Sequence, residues 1–343
     1  MIEKIKTGLV GFGSVGEKFH APLIHHSENL ELTAVVERSN SKSKERYPHV
    51  QVYRSLEAML DAGEITLAVI VTPNELHYEQ AKLCLMKGVH VVVDKPVTIL
   101  AHEAEELAIL AKEKGLVLTV FQNRRWDGDF QTIQKLIAAG TLGRIVHFES
   151  HFDRFRPQLA DNWREQAVPG NGITYDLGTH LIDQAIVLFG KPDWVHAVIL
   201  KQRQKAVADD FFDITLGYEQ VNVRVTASVL SNVPMQRFLV LGDKGSYIKY
   251  GLDVQEKALK AGIPPAGEFW GLEEPEAWGL LYLEQATQAI ETARGDYRCF
   301  YTNVAGAIQK GEPLEVKMDE AILVLKIIEA AFQSQQQGKR INF

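Results

Sequence analysis

The apolar positions of the first third fall into short, nearly continuous runs. Ile5–Val10, Leu30–Val36, Leu67–Val71, Val89–Val93 and Leu116–Phe121 read as strands. Successive residues of a strand point to opposite faces, so a run without alternation suits a strand covered on both sides. Between these runs lie segments of helical character: one to about His26, one from Ser55 through Leu60, then Asn74–Lys87 and Ala101–Lys114. The Ser55 hydroxyl and the Asn74 side chain are suited to cap the first turns of their helices. Gly88 and Gly115 stand just past two helix ends, where a left-handed residue is wanted. Strand and helix alternating over short connections predict a parallel, doubly wound sheet.

After about residue 122 the rhythm changes. A helix around Phe130–Ala139 ends at Gly140. Ile145–Phe155 then alternates with a period of two: Val146, Phe148, Ser150 and Phe152 on one face, His147, Glu149, His151 and Asp153 on the other. A helix over Gly178–Phe189 is followed by strands at Trp194–Gln202, Phe211–Tyr218, Val221–Leu230, Arg237–Leu241 and Ser246–Tyr250. Sequential strands with short turns predict an antiparallel sheet backed by helices. Residues 253–277, rich in Gly, Pro and Glu, read as a loop. Asp319–Gln335 is a helix too apolar to stand free, expected to pack back on the first domain.

Composition narrows the class. The 343 residues suffice for two ordinary cores, and 46% apolar with 24% charged residues argues against disorder. Lys and Arg number 37 against 44 Asp and Glu, a net charge of −7, with no basic block. That balance speaks against a nucleic-acid or anionic-membrane partner. The two cysteines, Cys84 and Cys299, suit a reducing compartment. The MIEKIKTGLV start has no apolar leader, and the run Ile65–Val71 is far short of the roughly 18 residues a spanning helix needs. The expectation is a soluble cytoplasmic protein.

The first strand runs into Gly11-Phe12-Gly13-Ser14-Val15-Gly16, a G-x-G-x-x-G turn that opens a helix. In that context the first Gly permits the tight turn, the second lets a pyrophosphate approach the backbone, and the third lets helix pack on strand. The helix N-terminus supplies amides and a partial positive charge. Glu37 follows Gly16 by 21 residues, at the end of the second strand, where an acid holds ribose hydroxyls and favours NAD. Arg38 and Ser39 come next, and they suit the 2′-phosphate of NADP. The two signals conflict. Thr72-Pro73-Asn74 lies at the C-terminal end of another strand, on the edge where open sheets bind ligands. His77, one turn on, reads first as a packed residue but belongs with the candidate cofactor set.

Asp94-Lys95-Pro96 follows the Val89–Val93 strand on that same edge. A lysine directly after a buried strand is unusual, because Lys is rarely buried without a partner. The second chemical motif is Gly170-Asn171-Gly172-Ile173-Thr174-Tyr175-Asp176-Leu177-Gly178-Thr179-His180. On a helix start, Asp176 and His180 share one face, a carboxylate beside a group that titrates near neutrality. His147, Glu149 and His151 are metal-ligand types on one strand face, but no fourth ligand is evident, so no metal site is expected.

These motifs together resemble the Gfo/Idh/MocA oxidoreductases. The resemblance spans the chain: GFGSVG, TPN, DKP, YDLGTH and the final helix. Family members commonly carry Glu-Lys-Pro where Asp94-Lys95-Pro96 stands, and Asn171 interrupts the family's glycine run. Longer strings, FQNRRWDGDF at 121–130, HFDRFRP at 151–157, NWRE at 162–165 and GSYIKYGLD at 245–253, are similar to the NADP-type scyllo-inositol 2-dehydrogenases and their uncharacterised relatives. Glu37 departs from the Ser or Arg usual in that subgroup.

The resemblance implies an α/β fold: an N-terminal Rossmann doubly wound parallel sheet over 1–122, and a C-terminal α+β domain over 123–343 with a large, mainly antiparallel open sheet. It implies hydride transfer between NAD or NADP and the CH–OH of a cyclitol, polyol or sugar. Lys95 would polarise the reacting hydroxyl, His180 act as general base or acid, and Asp176 orient both substrate and His180. Cofactor contacts would come from Gly11, Gly13, Ser14, Val15, Gly16, Glu37, Arg38, Thr72, Pro73, Asn74, His77, Asp94, Lys95 and Asn123. Candidates for the substrate wall are Arg124, Arg154, Arg156, Trp163, Arg164 and Tyr175, with Arg125 beside them. The family also implies homodimers or homotetramers through the open sheet face. Two alternatives stay open: a non-catalytic dinucleotide sensor, and a glycosidase that retains its NAD.

Overall fold

The computed structural model describes residues 3–160 and 165–343. Two compact units emerge. The first holds the chain through Asn123 together with Gln255–Trp270 and Asp296–Ile322; the second holds Arg124–Val254, Gly271–Gly295 and Leu323–Phe343.

In the first unit six strands form one sheet: β1 Ile5–Val10, β2 Leu30–Val36, β3 Gln51–Tyr53, β4 Leu67–Ile70, β5 His90–Val93 and β6 Leu118–Val120. Their order is β3-β2-β1-β4-β5-β6 and every pairing is parallel. Helices α1 Ala21–His25, α2 Ser43–Arg46, α3 Leu56–Asp61, α4 His77–Met86 and α5 Ala101–Lys114 connect them. Every residue of β4 is buried, which explains its unbroken apolar run. The expected caps divide. Ser55 Oγ accepts from the Ala58 amide at 3.1 Å. Asn74 does not cap α4, because a 3₁₀ turn, Asn74–Leu76, intervenes and the cap position falls on Leu76. Strand order reverses between β1 and β4, so the C-terminal ends of these strands flank a crevice suited to a ligand.

The second unit adds α6 Gly128–Ala138, α7 Thr179–Phe189 and strands β7 Ile145–His151, β8 Trp194–Leu200, β9 Phe211–Gly217, β10 Asn222–Ser228, β11 Gln236–Gly242, β12 Gly245–Tyr250, β13 Gly279–Leu283, β14 Ala286–Ile290 and β15 Ile341–Asn342. They make a nine-stranded sheet, β14-β13-β12-β11-β7-β10-β9-β8-β15, antiparallel except for β7 with β10. The alternation in β7 holds: Phe148, Ser150 and Phe152 are buried, whereas His147, Glu149 and His151 are half-exposed. Phe148 packs against Phe238 and Phe189 with ring centroids 5.8 and 5.4 Å away.

Several features escape the hydrophobic pattern, among them the short strands β3, β13, β14 and β15, which have no counterpart among the predicted runs. The segment read as a loop over 253–277 contains α8 Val254–Lys260. Its Gln255 is buried, and Oε1 accepts from Trp270 Nε1 at 3.1 Å and from the Tyr297 amide at 2.8 Å. This helix rests on a buried amide that no apolar periodicity reveals. A further helix, α9 Arg298–Lys310, belongs to the first unit. The final helix, α10 Met318–Gln337, contributes only its start through Ile322 to that unit. The remainder serves the second, where Ser334 Oγ and Gln335 Oε1 accept from the Ala197 and Ile199 amides of β8. Among the described residues no helix is long and apolar enough to cross a membrane.

Candidate active site

The glycine turn has the geometry that a dinucleotide needs. Gly11 has φ of +105°, and a Cβ there would lie 2.9 Å from the Val71 carbonyl oxygen. A Cβ on Gly16 would lie 2.3 Å from the Gly11 oxygen. A Cβ on Gly13 would meet nothing within 4 Å. Two glycines thus close the turn, and the middle one leaves open space where a phosphate can approach the backbone. Ser14 and Val15 begin the helix, and Glu17 N closes on Gly13 O at 2.8 Å. The residues present fit a nicotinamide dinucleotide.

At the end of β2 the arrangement differs from the simple fingerprint. Glu37 is buried, and its carboxylate accepts from the Lys42 amide at 3.0 Å, the Ser43 amide at 3.0 Å and the Ser43 hydroxyl. It staples the loop that carries Arg38 and Ser39, both exposed. Arg54 adds to the same loop, donating to the Glu37 carbonyl at 3.0 Å.

Past β4, Thr72 Oγ1 donates to Gln80 Oε1 at 2.7 Å, and Pro73 leads into the turn that begins at Asn74. His77 is fully buried. Its Nδ1 lies 2.7 Å from the Pro96 carbonyl oxygen and its Nε2 2.9 Å from that of Thr72. Both ring nitrogens face backbone carbonyls, and the single N–H of the neutral ring donates to one of them, so the ring sits between the Thr72 and Pro96 loops. Burial pushes its imidazole down, against the two carbonyls and Asp94. Lys95 and Asp94 are half-buried beyond β5, on the C-terminal edge of the strands and one strand away from the β1–β4 reversal. Burial pushes the Asp94 carboxyl up, but His20, Lys95 and His77 beside it win and hold it below the usual range. Asn123 follows β6, buried at the end of the same edge.

In the second unit Asp176 sits in a π-helical turn, Thr174–Gly178, that runs directly into α7. His180 is the second residue of α7 and is buried; Asp176 is half-exposed. A wide turn of this kind is rare and concentrates at functional sites. It is anchored from outside: Asp209 Oδ2 accepts from the Thr174 amide at 2.8 Å and from its hydroxyl at 2.7 Å. Tyr175 is buried and stacks on Phe332 at 5.9 Å between ring centroids.

The arginines are less available than their number suggests. Arg124 is buried, bonds Asp127 Oδ2 at 3.2 Å and stacks on Phe152 at 4.6 Å. Arg125 grips Asp183 through two bonds of 2.8 and 2.6 Å, a structural fork on α7. Arg154 stacks on Phe152 at 4.7 Å, and Arg156 is exposed. Trp163 and Arg164 lie outside the described residues. His147 and His151 meet Glu149 oxygens at 3.0 and 3.2 Å. Among the described residues no group of three or more His, Cys, Asp or Glu could hold a metal.

Sequence reasoning missed His20 and Tyr301, which meet the Asp94 turn from buried positions. A histidine inside the apolar helix after the glycine turn is a signal for His20. Tyr301 follows it by 281 residues, and no local pattern links the two.

Two family models match almost the whole chain. One, described as the oxidoreductase family NAD-binding Rossmann fold, covers residues 5–122; the other, the oxidoreductase family C-terminal alpha/beta domain, covers 134–343. The chain belongs to this Gfo/Idh/MocA oxidoreductase family. It is 41% identical over 338 residues to the uncharacterized oxidoreductase YdgJ of Escherichia coli, covering 97% of each chain. It is 37% identical over 344 residues to the scyllo-inositol 2-dehydrogenase (NADP(+)) IolW of Bacillus subtilis, covering 99% of this chain and 96% of that one. The solved structure of Bacillus subtilis yvaA superimposes with a TM-score of 0.97 at 36% identity, covering 100% and 99% of the two chains. A parallel sheet with its glycine turn and a mainly antiparallel second sheet are the family's two-domain α/β fold. Membership makes the chain an NAD(P)-dependent dehydrogenase.

Proposed function

We propose that this dehydrogenase moves hydride between NADP and the CH–OH carbon of a cyclitol, polyol or sugar. The observation that carries this reading is Lys95, half-buried directly after β5, on the same C-terminal strand edge of the parallel sheet that carries the glycine turn. The likeness to a named inositol dehydrogenase supports the substrate class.

When bound, the nicotinamide accepts or returns hydride at C4, and the chain supplies binding and proton handling. The turn at 11–16 holds the pyrophosphate on backbone amides. The Lys95 ammonium donates to the reacting hydroxyl oxygen and stabilises the negative charge that grows there as its proton leaves. His180 takes that proton during oxidation and returns it during reduction. Asp176, one helical turn before His180, orients the imidazole and accepts from a substrate hydroxyl. The balance is one hydride to the cofactor and one proton to His180 as the C–O bond becomes a carbonyl.

NADP is favoured in this reading because most of the Glu37 carboxylate's acceptor positions are taken by Lys42 and Ser43, whereas Arg38 and Ser39 are exposed beside it. The test is a screen that crosses both cofactors with inositol isomers and aldoses and follows the absorbance of the reduced nicotinamide. Turnover of a polyol or sugar with NADP is the expected result. No turnover of any of them with either cofactor overturns the reading.

A further inference from the structure

A chain of polar groups inside the first unit ends at the turn that carries Lys95. Tyr301 on α9 places its Oη 2.6 Å from Nδ1 of His20, and Nε2 of His20 lies 3.5 Å from Asp94 Oδ1. The side chains of His20 and Tyr301 are wholly buried. The imidazole packs on Phe121, ring centroids 4.2 Å apart, and Phe121 in turn meets Phe300 and Tyr301. The ring is therefore fixed in place.

Between the two neutral tautomers of His20, hydrogen-bond complementarity favours one. Burial, and then the Asp94 charge, push the Tyr301 phenol well above its usual range, so it keeps its single O–H. If the phenol accepted from Nδ1–H, a neutral imidazole would turn a lone pair at Nε2 toward a carboxylate, acceptor against acceptor. If the phenol donates to Nδ1, the Nε2–H is the atom turned toward Asp94 Oδ1, 3.5 Å away, an electrostatic contact rather than a closed hydrogen bond, with donor toward acceptor. The charged and titratable groups around Asp94 are His20, Lys95 and His77. His77 holds the other side of the same turn through the Pro96 carbonyl.

We propose that His20, set in its Nε2–H tautomer by Tyr301, is a positioning residue for Lys95: it fixes the Asp94 carboxylate one residue away. The proposal rests on the reading that Lys95 contacts the reacting hydroxyl. Without the imidazole 3.5 Å away, the half-buried Asp94 carboxylate loses the contact that fixes its position. A carboxylate free to rotate moves the turn with it, and a misplacement of about 1 Å at a reacting group costs about 100-fold in rate.

Two measurements test this in the intact protein. The first needs no cofactor: ¹⁵N histidine NMR of the free protein assigns the ring tautomer. His20 protonated at Nε2 is expected; protonation at Nδ1 alone overturns the proposal. The second is steady-state kinetics with NADP and whichever screened inositol or aldose turns over fastest. His20→Leu is expected to lower kcat by about 10-fold or more while KM and the cofactor Kd stay within about threefold. His20→Gln, which keeps an N–H donor near the Nε2 position, is expected to recover most of that loss. Equal losses in the two variants, or a wild-type kcat in His20→Leu, overturn it. If His20→Leu does not fold, Tyr301→Phe removes a single oxygen and carries the test: a lowered kcat supports the proposal and an unchanged one overturns it. Lys95→Ala separates the two ideas. An active Lys95→Ala sinks the functional reading itself, whereas an inactive Lys95→Ala beside a fully active His20→Leu sinks only the positioning role.

Discussion

The Glu37 carboxylate accepts the main-chain amides of both Lys42 and Ser43, each at 3.0 Å, and the Ser43 hydroxyl as well. An acid at the end of the second strand of such a sheet holds the ribose hydroxyls of NAD. Here three of its acceptor positions serve the loop instead, and the loop presents Arg38 and Ser39. We expect Arg38→Ala to weaken NADP binding by about 10-fold or more, the worth of a charge-assisted contact to phosphate. NAD binding should change by less than about threefold, since NAD has no 2′-phosphate to lose. Fluorescence titration of the two cofactors against both proteins reads this directly. An equal loss for NAD and NADP would place Arg38 outside the 2′-phosphate contact.

Lys95 and His180 act on the same hydroxyl in the proposed reaction, one through charge and one through proton transfer. Removing either should lower kcat by about 100-fold or more, the usual weight of such groups. Cofactor affinity should survive, because in the proposed reading the turn at 11–16 would hold the pyrophosphate. Single-turnover rates and cofactor titrations on Lys95→Ala and His180→Ala give both numbers. Retained turnover in both variants would remove the catalytic assignment.

The parallel sheet and its glycine turn were legible because their signals are local. Strands buried on both faces give unbroken apolar runs, and the glycines stand at the 11, 13 and 16 spacing of a tight strand-to-helix turn, where Gly16 is confined by the Gly11 oxygen. The second sheet was legible where one face is buried, as in β7. The α8 helix was not, because it depends on Gln255 accepting from Trp270 and Tyr297, partners 15 and 42 residues away. The hold of Glu37 on its own loop was also hidden. Its spacing from Gly16 fits a ribose contact, and only the course of the loop shows that Lys42 and Ser43 bond it as well. His20 escaped for the same reason, since its partner lies 281 residues on.

The approach to Asp176 depends on one glycine. Gly172 has φ of +90°, and a Cβ there would lie 2.0 Å from Asp209 Oδ1. The same Asp209 holds Thr174 through its amide and hydroxyl. Gly172→Ala therefore brings backbone strain and a clash at the anchor of the π-helical turn. A cost of about 2 kcal/mol or more in unfolding free energy is expected, measured by denaturant titration. Turnover should fall as well, because the displaced turn carries Asp176. A variant of wild-type stability would show that Asp209 can move aside and that the anchor is dispensable.

His151 gives the fold a pH dependence with a definite sign. Burial alone would lower its pKa, but hydrogen bonds to Asp153 and Glu149 outweigh it and raise the imidazole above its usual value of 6.5. Glu149 is held low in turn by His147 and His151, against the effect of its own burial. A group whose folded pKa is raised stabilises the fold fully below its unfolded pKa, and the gain is lost as pH rises through the folded value. The contribution of His151 is thus complete below about pH 6.5 and fades above it. Glu149 adds the opposite edge, losing its contribution as the medium falls below its unfolded carboxyl range. Denaturant unfolding of the wild type and His151→Gln across this span is the measurement. The wild-type advantage should be largest in mildly acidic solution and shrink toward alkaline pH. An advantage that grows with rising pH would mean that His151 is neutral in the fold, its single N–H donating to only one of Glu149 and Asp153.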